Sequence, residues 1–157
     1  MVKRRSVIAG LALGSMLAVL VGCGGRSPTE TTGSVSFQTV LKASLPGDSL
    51  DLPPEETVRD RGRWQELWAE LHRGAPAPPP EIDFGREMVV MVIGPGCNGR
   101  VDISAVEREG SEWVVRAETH SCTNTICAFA DFAVHAVRLP RFDGAVRFAV
   151  RRNAGLC

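Results

Sequence analysis

The spacing of hydrophobic residues predicts one amphipathic helix over Asp60 to Arg73. Trp64, Leu67, Trp68 and Leu71 follow one another at i, i+3, i+4 and i+7, which places them on a single helix face. We expect this face to belong to the core, because aromatic residues at helical spacing usually pack against a sheet. A partner-binding face is the alternative interpretation.

Residues at both ends of this segment support the helix. The carboxylate of Asp60 can cap the first turn, and Gly74 stands where a left-handed residue commonly follows a helix. The prolines at 76, 78, 79 and 80 then prevent the helix from continuing.

Alternating and continuous apolar stretches predict strands on either side of the helix. Val35 to Leu45 is strand-like with imperfect alternation, and the continuous run Met88 to Ile93 is typical of a covered central strand. Val101 to Val106 and Trp113 to Ala117 alternate around Glu109-Gly110, which predicts a hairpin.

A second hairpin is predicted near the C-terminus, from Phe132 to Leu139 and Ala145 to Val150 around Asp143-Gly144. A helix followed by a series of antiparallel strands predicts an α+β fold. We expect a mostly antiparallel sheet of hairpins with the amphipathic helix packed on one face.

The N-terminus has the pattern of an exported lipoprotein. Basic residues at 3–5 precede the apolar stretch Val7 to Val21, which suits a secretory signal and is short for a bilayer span. The stretch ends in Leu20-Val21-Gly22-Cys23, which resembles the bacterial lipobox. The resemblance implies cleavage before Cys23 and lipidation of that residue. An ordinary signal peptide and an uncleaved anchor are the alternatives.

These patterns divide the chain into a signal peptide (1–22), a flexible tether that begins at the lipidated Cys23 (23–34) and a globular domain (35–157). The tether is small, polar and poor in apolar residues. Gly24 follows Cys23, and no Asp stands there to indicate inner-membrane retention. We therefore expect a lipid anchor in the bacterial cell envelope, on the outer membrane in a Gram-negative cell.

Charge excludes one class of partner and composition excludes whole-chain disorder. The full chain has 18 basic and 18 acidic residues, and the mature chain would keep 15 basic against 18 acidic ones. Nucleic acid is therefore not an expected partner, because its binding requires a basic surplus. With 44% hydrophobic residues the chain can form a core.

The order of elements resembles the C-terminal domain family of the bacterial protease-complex subunit PrcB. The helix motif Trp64-x-x-Leu67-Trp68, a proline-rich link, the segment Ile82 to Val90, a glycine-rich loop and paired strands follow in that order. The resemblance covers about Val58 to Arg151. It implies an exported binding or accessory role and no catalytic residues, so we expect no enzyme and no cofactor.

The glycine-rich loop departs from that family. Members tend to carry a Thr-Gly-Gly-Tyr-like loop, whereas this chain has glycines without the Thr or the aromatic residue. We take the loop as a candidate partner-binding segment, formed by Gly94, Pro95, Gly96, Asn98, Gly99 and Arg100. Two function classes remain open: an accessory domain that associates with or stabilises an exported protease, and a surface-displayed protease inhibitor.

Cysteine and histidine residues raise two further chemistries. His120, Cys122, Cys127 and His135 are all possible zinc ligands, but their spacing matches no common zinc motif, and exported cysteines more often form disulfides. A nucleophilic Cys97 lacks any supporting motif. His72 falls in the last helical turn, where the dipole favours a cation. We expect no metal site.

The four cysteines other than Cys23 can pair in three ways. A two-residue turn at Glu109-Gly110 would place Cys97 opposite Cys122 if the strand ladder continued past the glycine loop. The second hairpin would bring Cys127 near Cys157 with a three-residue offset. We therefore predict Cys97–Cys122 and Cys127–Cys157, with Cys122–Cys127 and Cys97–Cys157 as the main alternative.

Overall fold

The structure is a computed structural model that describes residues 33–47, 51–73, 75–123 and 129–156. In chain order the elements are β1 (Gly33–Ser34), β2 (Gln38–Pro46), β3 (Glu55–Val58), α1 (Arg61–Leu71), β4 (Glu87–Pro95), β5 (Arg100–Glu109), β6 (Glu112–Cys122), β7 (Asp131–Pro140) and β8 (Val146–Gly155).

The strands form two four-stranded sheets. The first has the order β1-β5-β6-β8 and the second the order β2-β7-β4-β3. Each pairing is antiparallel except that between β6 and β8, which run parallel. The expectation of α+β with mainly antiparallel strands is met, with strands dominant. The expectation of one sheet is wrong.

Two layers of apolar side chains account for this arrangement. One layer joins α1 to the outer face of the second sheet and includes Trp64, Leu67 and Val89. The other fills the space between the two sheets and includes Met88, Val90 and Val115. Alternate residues of β4 therefore serve different layers, which is why the run Met88 to Ile93 is apolar on both faces.

The helix is placed by its apolar face, as the sequence predicts. Trp64, Leu67, Trp68 and Leu71 are all buried, and the Trp64 and Trp68 rings lie 5.2 Å apart. Their indole nitrogens donate to carbonyl oxygens of the proline-rich link, at Pro80 and Ala77 respectively. The prediction that this face is core is confirmed.

Both helix ends follow local side-chain chemistry. Asp60 is the N-cap, and its Oδ1 accepts from the Arg63 backbone N–H at 2.9 Å. The helix ends at Leu71, two residues before the predicted end, and His72 is its C-cap, with its ring stacked on Trp68 at 4.2 Å. The predicted role of Gly74 lies outside the described residues.

Removal of the N-cap should destabilise the domain modestly. Asp60→Ala deletes the acceptor of the Arg63 N–H bond, so we expect a loss of about 1 kcal/mol in the free energy of unfolding. Urea titration of the wild type, Asp60→Ala and Asp60→Asn measures it. Because Asn also caps well, an equal loss in Asp60→Asn would contradict the capping account.

Two predicted boundaries need correction at the first sheet. Gly33 and Ser34, which we placed in the tether, form β1 and pair with Arg108 and Glu107. The β5–β6 turn is formed by Gly110 and Ser111, because Glu109 faces Glu112 in the ladder. Gly110 has φ +60°, a conformation that glycine adopts without the steric cost that other residues incur.

The predicted second hairpin does not form, because β7 and β8 lie in different sheets. The link between them crosses the sandwich, and the Phe142 ring stacks on Trp113 at 4.5 Å. The Arg59 guanidinium donates to the carbonyl oxygens of Phe142 and Gly144 and so holds the link in place. The turn-like sequence Asp143-Gly144 therefore serves a crossover.

Candidate partner-binding end of the sandwich

The glycine-rich loop between β4 and β5 lies at one end of the sandwich, together with the termini of four neighbouring strands. Pro95 at the end of β4 faces Phe132 near the start of β7, and Arg100 at the start of β5 faces His120 in β6. Residues far apart in sequence therefore meet around this loop.

The loop has a tight, left-handed backbone. Cys97 and Asn98 have φ values of 61° and 65°, and the Gly99 N–H donates to the Gly96 carbonyl at 3.1 Å. A Cβ atom at Gly96 would lie 1.8 Å from the Asp131 carbonyl oxygen, and one at Gly99 would lie 2.2 Å from that of Pro95. Both glycines are therefore required by close backbone approach.

Asp131 fixes the loop to β7 and β2. Its carboxylate accepts one hydrogen bond from the Ser44 hydroxyl at 2.7 Å and another from the Cys97 backbone N–H. These two bonds hold the pKa of Asp131 below its usual value, and the bond from Ser44 has the larger effect. Asp131 thus holds the loop in addition to the loop's own turn. The sequence patterns did not predict this role of Asp131.

Three of the predicted loop residues face solvent. Pro95, Asn98 and Arg100 are exposed, whereas Gly94 is buried. Gly94 packs beneath the loop, where an added Cβ would lie 3.3 Å from Val101 and 3.4 Å from Thr119. A buried, close-packed base and an exposed tip of fixed shape are the features expected of a pre-organised contact surface.

A cleft of about 510 Å³ opens beside the loop. Its lining comes from both sheets and includes Lys42 and Ser44 of β2, Arg100 and Asp102 of β5, and His120 of β6. Lys42 and Asp102 form an ion pair across the two sheets. Both side chains are more than half exposed, so the pair adds little stability.

A buried histidine joins the two sheets near the cleft. The Ile103 backbone N–H donates to His135 Nδ1 at 2.8 Å, so Nε2 carries the proton of the neutral ring and donates to the Thr39 hydroxyl at 3.1 Å. Among the described residues, β1 pairs only with Glu107 and Arg108, which leaves this half of β5 at the edge of the described sheet. His135 therefore accepts the hydrogen bond of the Ile103 N–H, in the place of a neighbouring strand.

The surroundings of His135 favour the neutral ring. Its side chain is 3% exposed, and this burial, followed by the nearby Lys42 charge, lowers its pKa, while Asp102 at 3.5 Å acts in the opposite direction. Protonation of Nδ1 would also break the bond from Ile103. The charged form is therefore disfavoured in the folded state.

Acidification should weaken the domain through His135. Because the unfolded chain binds this proton more tightly, the stabilisation is complete above pH about 6.5 and is lost as pH falls through the lowered folded pKa. The free energy of unfolding, measured from pH 8 to 5 in the wild type and His135→Gln, tests this. Equal pH dependence in the two proteins would contradict it.

The described cysteines lie beside the loop, but the register argument for their pairing is wrong. Near the loop the β5–β6 ladder is offset by a bulge between Ile103 and Ala105, and it ends at the pair of Arg100 and His120. Cys97 and Cys122 are both disulfide-bonded, and Cys122 Sγ lies 3.3 Å from the Asn98 carbonyl oxygen. Which cysteines pair stays a prediction, since Cys127 and Cys157 lie outside the described residues.

The possible zinc ligands that the structure describes, His120, Cys122 and His135, do not form a metal-binding group. His135 is engaged with Ile103 and Thr39 between the sheets, His120 lies in a different strand near the cleft, and Cys122 is disulfide-bonded. The part of the chain that the structure describes contains no group of three or more potential metal ligands. Cys127 and the predicted lipidation site Cys23 lie outside that part.

Asp83 has a local structural role at the start of β4. Its Oδ1 accepts from the Gly85 N–H at 3.1 Å in an Asx turn, and its carbonyl accepts from the N–H groups of Arg86 and Glu87. The carboxylate therefore shapes the entry to β4.

Comparison with family models, curated proteins and solved structures finds no match to this chain. The described helix, α1, has 11 residues, and no helix among the described residues is long and apolar enough to cross a membrane.

Proposed function

We propose that the protein is a lipid-anchored binding or accessory domain of the bacterial cell envelope, which contacts a partner through the loop Gly94 to Arg100. The observation that carries this proposal is the fixed shape of an exposed loop. Two left-handed residues, two glycines in close backbone contact and the Asp131 carboxylate hold it. A loop that is already ordered loses little conformational entropy on binding.

Export is supported by two independent features. The N-terminal pattern that ends at Cys23 resembles a lipobox, and Cys97 and Cys122 are disulfide-bonded. Disulfides persist in oxidising compartments such as the periplasm and the cell surface. The proposal therefore places the domain outside the cytoplasm, where the tether 23–32 joins it to lipid.

We propose an exported protease as the partner class, because the sequence resembles the PrcB C-terminal domain family. The accessory role is preferred over inhibition for a geometric reason. An inhibitory loop that pairs with a protease as an added strand must be extended. Cys97 and Asn98 instead turn the tip of this loop back on itself. We therefore assign the loop to partner docking and give it no catalytic role.

Partner recovery from envelope membranes tests this assignment. Asn98→Gly removes an exposed side chain at φ 65° while keeping a residue that tolerates this backbone conformation. We expect at least about a fivefold loss of co-purified partner, equivalent to about 1 kcal/mol. Ser111→Gly, in the β5–β6 turn, is the matched control and should leave recovery unchanged.

A loss in both variants, or in neither, would contradict docking at the loop. The same purified proteins should be assayed against a panel of exported proteases. Inhibition that Asn98→Gly abolishes would assign the loop to a protease active site and replace the accessory role with the inhibitor role.

Cys23 is expected to carry the lipid anchor. Cys23→Ser should abolish fatty-acid labelling and leave the protein unprocessed or released from the membrane, because lipid attachment at this thiol is the proposed anchor. Metabolic labelling with a radioactive fatty acid measures this. Label retained in Cys23→Ser would show that the anchor lies elsewhere.

A further inference from the structure

Three polar side chains form a row across neighbouring strands beside the loop. Arg100 of β5 faces His120 of β6, and His120 faces Asn153 of β8. Directly opposed residues on neighbouring strands project from the same face of a sheet. All three residues also line the cleft of about 510 Å³.

Charged side chains next to this row already form ion pairs, whereas the side chains of the row do not. Lys42 pairs with Asp102, and Glu118 pairs with Arg151 at 3.4 Å. Within the described ranges, the side chains of the row make no hydrogen bond or ion pair with other residues. The Arg100 guanidinium is therefore the uncompensated charge of the cleft, with imidazole and amide groups next to it.

We propose that the row formed by Arg100, His120 and Asn153 binds a carboxylate group. The inference rests on the proposed binding function and gives its chemistry, since the acceptor would be an acidic side chain or C-terminus of the partner, or a free organic acid. A guanidinium can donate two parallel hydrogen bonds to a carboxylate, and imidazole N–H and amide NH₂ groups add neutral donors.

Existing ion pairs distinguish Arg100 from the arginines of β8. Arg147 and Arg152 also lie on β8, but Arg147 pairs with Glu109 and Arg152 with Glu55, each at 2.9 Å. Their donors are in use, whereas those of Arg100 point to no acceptor among the described residues. A carboxylate from another molecule would complete the pattern of cross-strand ion pairs on this sheet.

Backbone amide NMR of the purified protein can test the site with defined probes. The probes are sodium acetate, acetyl-trialanine with a free C-terminal carboxylate, and the same peptide as its C-terminal amide. We expect saturable shifts confined to Arg100, His120, Asn153 and the adjacent loop with a carboxylate probe, and none with the amide. Shifts that are equal for acid and amide, or absent with every probe, would overturn the proposal.

The two carboxylate probes distinguish the two sources. Binding of the peptide acid at a concentration where acetate has no effect indicates a protein terminus or side chain, and equal binding of acetate indicates a free organic acid. Arg100→Gln should weaken binding about tenfold or more, because a hydrogen bond to a charged group is lost. Arg86→Gln removes one exposed arginine before β4 and should have no effect.

The co-purification assay distinguishes failure of the carboxylate site from failure of the proposed docking loop. Undiminished partner recovery with Arg100→Gln, together with loss in Asn98→Gly, would leave the docking loop in place and reject the carboxylate site for that partner. Loss in Arg100→Gln but not in Arg86→Gln would support both.

Discussion

Trp64→Ala is expected to lower the free energy of unfolding by about 3–5 kcal/mol. Trp64 is 1% exposed, contacts Trp68 and donates its indole N–H to the Pro80 carbonyl. Truncation would leave a cavity between α1 and the second sheet and would leave that carbonyl without its donor. Urea denaturation followed by circular dichroism measures the change.

Gln65→Ala is the matched control on the same helix. Gln65 is exposed, and alanine is a favourable helix residue, so its effect should stay within about 0.5 kcal/mol. Trp64→Ala with unchanged stability and reduced partner recovery would contradict the core assignment and make the tryptophan face an interface.

Gly96→Ala should have the second-largest effect and should disrupt the loop itself. The new Cβ would lie 1.8 Å from the Asp131 carbonyl oxygen, so the loop must move away from β7. We expect a loss of about 1–3 kcal/mol in stability from this overpacking, together with loss of the bond from the Cys97 N–H to Asp131. Denaturant titration and amide NMR of the loop provide the two readouts.

Gly33→Ala provides the control for a glycine with room around it. No atom lies within 4 Å of a Cβ built there, so its stability should be close to that of the wild type. Similar losses at Gly33 and Gly96 would mean that the close approach of the loop to β7 is not what requires glycine at position 96.

The features that the sequence predicted correctly depend on interactions between residues close in the chain. The apolar spacing of Trp64 to Leu71 defines a helix face, and Asp60 caps the residues that follow it directly. The β5–β6 ladder follows from alternation and a short turn. In each case the partners lie within a few residues or across one hairpin.

The features that the sequence missed depend on contacts between distant segments. Val146 to Gly155 has the pattern of a hairpin strand, yet it crosses to the other sheet and pairs in parallel with β6. Arg59, more than 80 residues away, supplies the hydrogen bonds that hold the crossing link. No local pattern could distinguish this path from a hairpin around Asp143-Gly144.

The candidate site shows the same division. Its glycines and exposed loop residues were identifiable from sequence, because glycine clusters mark special backbone geometry. The role of Asp131 was not identifiable from sequence, because Asp131 lies 34 residues after Cys97 and meets it only in the folded protein. From sequence His135 was only a strand residue and a possible zinc ligand, because its bond to Ile103 requires the two sheets to meet.

Photo-crosslinking in intact cells tests the central claim of partner docking at the loop most directly. A photoreactive residue is placed at Pro95, which is exposed beside the loop tip, or at Ser111 in the exposed β5–β6 turn. The account predicts a discrete covalent adduct with an envelope protein from position 95 and none from position 111. Adducts from position 111 alone, or from neither position, would contradict it.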